Sequence, residues 1–239
     1  MARRMRENLP FVHLVPNLIT ILGLCCGLTA MRLTFDGLYI YAAALIVFAA
    51  AIDGLDGLVA RRLRATSEMG AELDSLSDFV CFGVAPALLT YRFALFPDQG
   101  LGWVLALTFA ICCCLRLARF NTMRDQPDAP RHFLGVPAPA GAGLGLLPVF
   151  ATFAGLGNFR EMPLLVALWL GFVGFLMISR IPTPSAKGLK IARDKARFLL
   201  IGVAICIGLM VTRFWLFMTL VCLIYLAVVL FQAVRHRRF

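Results

Sequence analysis

The chain has 239 residues, of which 61% are hydrophobic and 15% are charged, and its mean hydropathy is +0.86. Soluble domains are about 45–50% apolar, so this composition indicates a membrane protein and leaves no length for a separate soluble domain. The formal net charge is +10, and its meaning depends on where the cations lie along the chain.

The first 16 residues, MARRMRENLPFVHLVP, are basic and then semi-polar. They lack the short apolar core and small-residue cleavage site of a signal peptide. We therefore expect residues 1–16 to lie at the cytoplasmic membrane surface, and residues 17–239 to form a single transmembrane domain.

The rest of the sequence predicts an all-α, polytopic membrane helix bundle. A spanning helix needs about 20 predominantly apolar residues. About eight segments are predicted, at 17–31, 38–60, 73–95, 101–117, 141–155, 163–178, 198–212 and 214–233. The last two are separated only by a tight connection around Arg213, so a seven-span arrangement is the alternative.

The cations divide unequally between the two sides of this bundle. With the N-terminus in the cytoplasm and eight spans, 19 of the 23 Lys and Arg residues fall on the cytoplasmic side. The four on the outer side are Arg32, Arg92, Arg160 and Arg213. This asymmetry is typical of cytoplasmic loops, so both termini are predicted to be cytoplasmic and no nucleic-acid partner is needed to explain the charge.

Acidic residues are concentrated between the second and third predicted spans. Six of the chain's 13 carboxylates lie in the stretch 51–78, AIDGLDGLVARRLRATSEMGAELDSLSD. Asp53 and Asp56 are three residues apart, and Asp74 and Asp78 are four apart, so each pair lies on one helix face. A short basic link makes the two helices antiparallel neighbours, which predicts that the four side chains converge near the cytoplasmic face. Glu68 and Glu72 are expected to be solvated or paired with arginines.

Two explanations of this cluster are open from the residues alone. Salt bridges to Arg61, Arg62 and Arg64 are one. Divalent metal binding is favoured, because hard oxygen ligands on two facing helices suit Mg²⁺ or Mn²⁺, and four carboxylates can hold two ions about 3.5–4 Å apart. Two glycines nearby, Gly57 and Gly70, indicate either close approach of a ligand or close helix packing.

The same residues carry a family resemblance. The stretch 56–78 fits the pattern D-G-x2-A-R-x8-G-x3-D-x3-D without departure, and the chain thereby resembles the CDP-alcohol phosphotransferase family. The matching residues are Asp56, Gly57, Ala60, Arg61, Gly70, Asp74 and Asp78. Asp53 supplies the further upstream acid that the family usually has.

The resemblance implies a homodimeric membrane enzyme that displaces CMP from a CDP-linked lipid, with its core formed by the first six helices. It implies that Asp53, Asp56 and Asp74 are metal ligands, and that Asp78 binds a second ion and acts as the general base. The implied contacts to the CDP-lipid are Asn17, Thr20, Gly57, Ala60, Arg61, Ser67 and Gly70.

Further segments resemble the bacterial phosphatidylserine synthase branch of that family. They are DSLSDFVCFGVAPA, CLRLARFN, FLGVPAPAGAG and PSAKGLKI. The implied substrates are CDP-diacylglycerol and L-serine, and the implied location is the bacterial inner membrane. Serine needs a cation for its carboxylate, and the candidate serine-binding residues are Arg116, Arg119, Asn121 and Lys187, although the cations among them could instead be cytoplasmic anchors.

Two alternative functions remain at this stage. Another enzyme of the same chemistry could use glycerol phosphate, choline or an inositol derivative as the acceptor. A divalent-cation transporter could use the carboxylates as a transit site, but its acids would be spread along a path across the membrane. Clustering of all four aspartates at one face favours the enzyme.

Overall fold

The computed structural model describes residues 15–63, 67–96, 100–124, 135–179 and 196–236, and these residues form helices and short links with no strand among them. The prediction of an all-α membrane protein is confirmed. The α-helices are α1 (Val15–Phe35), α2 (Tyr39–Leu63), α3 (Glu68–Asp78), α4 (Ala85–Thr90), α5 (Leu101–Arg124), α6 (Ala138–Gly145), α7 (Leu147–Phe153), α8 (Pro163–Ile178), α9 (Ala196–Thr212) and α10 (Phe214–His236).

The predicted membrane segments all coincide with these helices. Five helical stretches are long and apolar enough to cross a membrane, at Val15–Phe35, Tyr39–Leu63, Glu68–Leu95, Leu101–Met123 and Phe214–Arg235. Pro163–Ile178 and Ile201–Thr212 are shorter apolar helices. Large apolar side chains remain exposed on their outer surfaces, for example Leu22, Phe48 and Ile205, as expected for helices surrounded by lipid.

The third span is less regular than the sequence pattern predicted. Two π-helical turns, Phe79–Val84 and Tyr91–Leu95, flank α4 within it. The first π turn begins immediately after Asp78. Since π turns interrupt the regular helical periodicity and occur frequently at functional sites, the span changes its helical register directly beyond the last aspartate of the cluster.

The fifth predicted span is two short helices, α6 and α7, joined at Leu146. Pro148, in the first turn of α7, has no N–H to donate to the carbonyl of Leu144. The indole Nε1 of Trp169 on α8 donates to that carbonyl at 2.7 Å. A neighbouring helix thus satisfies the backbone group that proline leaves unpaired, which is how such breaks are tolerated at membrane depth.

Helix α1 packs against both α2 and α3, and α5 packs against α8. Small side chains line the contact between α1 and α2, where Ala30, Ala42 and Ala43 are fully buried. Small residues allow membrane helices to approach closely. Helix α10 packs against α6 and α7. The contacts of α1 with α2 and α3 bring these three helices around the acidic residues.

Candidate active site

Three of the four predicted aspartates form one cluster. One carboxylate oxygen from each of Asp53, Asp56 and Asp74 lies within 4.8 Å of the other two. Asp56 is buried, with 5% of its surface exposed, and the other two are partly buried. The spacing along α2 and α3 therefore brings the side chains together, as the sequence predicted.

Helix α1 connects the two acidic helices. The Thr20 hydroxyl donates to Oδ2 of Asp56 at 2.8 Å and lies 3.1 Å from its own helix's Pro16 carbonyl. From the other side, the Ser77 hydroxyl of α3 donates to the carbonyl of Thr20 at 3.4 Å. Thr20 is buried, so its contact to the Asp56 carboxylate is shielded from water.

Asp78 lies beside this cluster, one turn further along α3. Its carboxyl group faces that of Asp53 at hydrogen-bonding range and is an electrostatic neighbour of Asp74. Arg116 on α5 approaches both Asp53 and Asp78 closely enough to interact with their charges. A cavity of about 10 Å³, lined in part by Asp53, Asp56 and Asp78, is the size of one water molecule or small ion.

The donor set fits a divalent cation. Carboxylate oxygens are the ligands that Mg²⁺ and Mn²⁺ prefer, and opposite ligands around Mg²⁺ stand about 4 Å apart, twice the metal–oxygen bond length. One carboxylate oxygen from each of the three aspartates lies within 4.8 Å of the other two, so the three groups can converge on one ion. Because several buried carboxylates repel one another, a cation also supplies charge that the cluster needs.

The predicted CDP-binding residues lie at the same end of the bundle. The Ser67 hydroxyl caps α3 by accepting from the backbone N–H of Gly70 at 3.0 Å. A β-carbon added at Gly70 would lie 2.8 Å from Oδ1 of Asn17. Gly70 therefore leaves room for the Asn17 side chain, and three predicted CDP contacts are grouped together.

Gly57 is associated with Arg61 in a similar way. A β-carbon at Gly57 would lie 3.4 Å from a guanidinium nitrogen of Arg61. The arginine side chain is exposed and lies along the glycine surface of its own helix. This arrangement places an exposed cation five residues beyond Asp56 on the same helix. Ala60 lies between them on α2.

The candidate serine-binding residues lie in different environments in the structure. Arg116 approaches the aspartates, whereas Arg119 donates to the carbonyls of Ile178 at 2.8 Å and Ser179 at 3.4 Å, at the end of α8. Asn121 donates to the Ser75 hydroxyl at 2.9 Å. Lys187 lies outside the described residues.

Comparison with known proteins identifies the family. The family model for CDP-alcohol phosphatidyltransferases matches residues 13–180, which include α1 to α8 and the four aspartates. The chain belongs to the CDP-alcohol phosphatidyltransferase family. The predicted motif residues, at positions 53–78, lie within the matched range.

Three similar curated proteins have the name CDP-diacylglycerol–serine O-phosphatidyltransferase. The protein from Mycobacterium tuberculosis H37Rv is 38% identical over 233 residues, covering 95% of this chain and 80% of its own. The Bacillus subtilis protein is 39% identical over 178 residues, covering 74% of this chain and 93% of its own. The Methanocaldococcus jannaschii protein is 33% identical over 212 residues, covering 88% and 91%.

Sequence reasoning missed several residues around the phosphatidyltransferase motif. Ser75 and Ser77 occupy positions between Asp74 and Asp78 and bond to α5 and α1 respectively. Their placement within DSLSD was a signal, because polar side chains next to conspicuous acids in a membrane span need partners. Tyr225 on α10 is an electrostatic neighbour of Arg116, and no local pattern indicated it.

Proposed function

We propose that this chain transfers the phosphatidyl group of CDP-diacylglycerol to the hydroxyl of L-serine and releases CMP. The observation that carries the proposal is the common name of relatives that align with up to 95% of the chain. The family motif supports the CDP-linked donor, and Arg116 beside Asp78 supports an acceptor that carries both a hydroxyl and a negative charge.

The residues of the cluster divide between binding and proton transfer. In the proposed reaction, the serine Oγ forms a bond to the phosphorus that bears diacylglycerol, and the bond from that phosphorus to the bridging oxygen breaks. CMP leaves with that oxygen. The serine hydroxyl proton passes to the carboxylate of Asp78, which acts as general base.

We propose that Asp53, Asp56 and Asp74 hold one Mg²⁺ or Mn²⁺ and that Asp78 contributes to a second site. When bound, divalent ions neutralise the diphosphate and stabilise charge on the leaving CMP. Asn17, Arg61 and Ser67 bind the CDP portion, since the guanidinium of Arg61 is suited to bidentate phosphate contact.

The proposed orientation places the site and both termini in the cytoplasm. The predicted excess of Lys and Arg on the cytoplasmic side supports this orientation. The position of Arg160, one of the cations predicted on the outer side, supports it as well. Arg160 stacks over the rings of Tyr39 and Phe93 at 4.9 and 4.3 Å. Tyr39 begins α2, and Asp53 lies 14 residues further along it, a rise of about 21 Å. The aspartates are therefore remote from this cation–aromatic group.

The decisive experiment is an assay of the purified protein with CDP-diacylglycerol, Mn²⁺ and isotopically labelled L-serine. We expect CMP release that depends on serine and label that appears in phospholipid. The Asp78→Asn variant should lose turnover and keep its melting temperature, whereas Glu72→Gln, an exposed change on the same helix, should retain activity. CMP release that requires a different alcohol would refute the serine assignment, and near-normal activity of Asp78→Asn would remove Asp78 as the base.

We also propose a homodimer, as the family resemblance implies. Its support is that resemblance. Native mass spectrometry of the protein released from nanodiscs should give about twice the mass of one chain, which is 26.3 kDa. A mass of one chain under conditions of full activity would contradict the proposal.

A further inference from the structure

Tyr225 has a buried hydroxyl that lacks a hydrogen-bond partner within the described part of the chain. Its Oη atom is inaccessible to solvent and has no hydrogen-bond partner among the described residues. A buried polar group without a partner is destabilising, and such groups in native proteins are few. Phenylalanine at a lipid-facing or core position would fill the same space without that cost. The presence of the hydroxyl therefore indicates that it binds a ligand.

The surroundings of Tyr225 connect it to the candidate active site. Helix α10 is held against α6, where the Sγ atom of Cys222 lies 3.4 Å from the position of a β-carbon at Gly143. Tyr225 follows one turn later on the buried side of α10 and packs against the core. Its hydroxyl is an electrostatic neighbour of the Arg116 guanidinium.

Arg116 therefore has two kinds of electrostatic neighbour. They are the carboxylates of Asp53 and Asp78 and the hydroxyl of Tyr225. An acceptor whose hydroxyl lies at Asp78 would direct a charged group two carbon atoms away toward Arg116. Serine has this arrangement, because its carboxylate is two carbon atoms from its hydroxyl.

We propose that Tyr225 donates a hydrogen bond to the carboxylate of the acceptor substrate, alongside Arg116, and thereby helps to select serine. The inference rests on the proposed function, because it assigns a second ligand to the serine carboxylate. Tyr225 lies beyond residues 13–180, which the family model matches. The acceptor site thus includes a residue of the last helix, outside the segment that defines the family.

The test compares Tyr225→Phe with the wild-type enzyme on two acceptors. L-Serine carries the carboxylate, and serinol keeps the ammonium and hydroxyl groups but lacks the carboxylate. Loss of a hydrogen bond to a charged group should raise the KM for serine about tenfold or more, with the KM for CDP-diacylglycerol unchanged. The slow CMP release supported by serinol should be unaffected. Tyr41→Phe, at an exposed position near the start of α2, is the matched control.

Two results would overturn the inference. An unchanged KM for serine would show that Tyr225 does not touch the acceptor, and an equal fall in kcat/KM for serine and serinol would show a structural role. Thermal stabilisation of each purified variant by L-serine alone provides a second measurement that does not need turnover, and it should be smaller for Tyr225→Phe. If wild-type CMP release does not depend on serine at all, the proposed function fails instead, which separates the two conclusions.

Discussion

The hydroxyl of Thr20 offers a sharp test of how α1 supports the cluster. Replacing Thr20 with valine keeps the shape of the side chain and removes the donor that lies 2.8 Å from Oδ2 of Asp56. A hydroxyl has one proton, and its contact to the carboxylate at 2.8 Å is shorter than its contact to the carbonyl of Pro16 at 3.1 Å. The substitution therefore removes one charge-assisted hydrogen bond.

The magnitude follows from burial. Thr20 and Asp56 are exposed by only 6% and 5%, so water cannot replace the lost donor. A hydrogen bond to a charged group contributes about 1.5–3 kcal/mol, or about 10- to 150-fold in a binding constant. Groups that orient metal-binding carboxylates have effects of about 10- to 100-fold on metal affinity or activity. We expect the Mn²⁺ concentration for half-maximal activity to rise by at least tenfold.

The assay measures CMP release against Mn²⁺ concentration, together with the rise in melting temperature that Mn²⁺ produces. Thr34→Val is the matched control, because Thr34 is equally buried on α1 and its hydroxyl bonds to the backbone carbonyl of Ala30 at 2.8 Å. A Thr20→Val enzyme with the metal dependence of Thr34→Val and a raised KM for CDP-diacylglycerol would refute the reasoning. Thr20 would then act on the donor substrate, as the family resemblance implies.

Two further substitutions test whether a residue acts in substrate binding or in helix packing. Gly70→Ala would place a methyl group 2.8 Å from Oδ1 of Asn17, so it should raise the KM for CDP-diacylglycerol several-fold with little change in kcat. The control is Gly202→Ala, which meets open space and should have no effect. Equal kinetics for the two variants would contradict the role of Asn17. Arg119→Gln should lower the free energy of unfolding by about 1–2 kcal/mol, seen as a lower melting temperature, because it removes the bond to the carbonyl of Ile178. A raised KM for serine at an unchanged melting temperature would instead place Arg119 in the acceptor site.

The convergence of the acids was predictable because helical periodicity is local. Spacings of three and four residues fix which side chains share a face, and the short link between α2 and α3 fixes their direction. The same reasoning could not predict that α1 joins these helices through Thr20 and Ser77. Such a contact depends on how three helices cross, and the sequence pattern of each helix carries no information about it.

Irregular helices were the second feature that the sequence did not predict. The predicted span at 141–155 is apolar throughout, so its composition did not reveal the break at Leu146. Pro148 was a visible signal, but the compensating bond from Trp169 comes from a residue 25 positions from the accepting carbonyl of Leu144. Likewise, the π turn after Asp78 depends on packing that hydropathy does not encode.

Arg116 and Arg119 show most clearly why residue type alone was insufficient. They are three residues apart on α5, carry the same charge and were equally good candidates for the serine carboxylate. Their surroundings differ, since Arg119 meets backbone carbonyls at the end of α8, while Arg116 meets the aspartates and Tyr225. A guanidinium already bonded to two carbonyls has fewer donors left for a ligand. Arg116, whose neighbours are the proposed general base and the hydroxyl of Tyr225, is therefore the stronger choice for binding the acceptor.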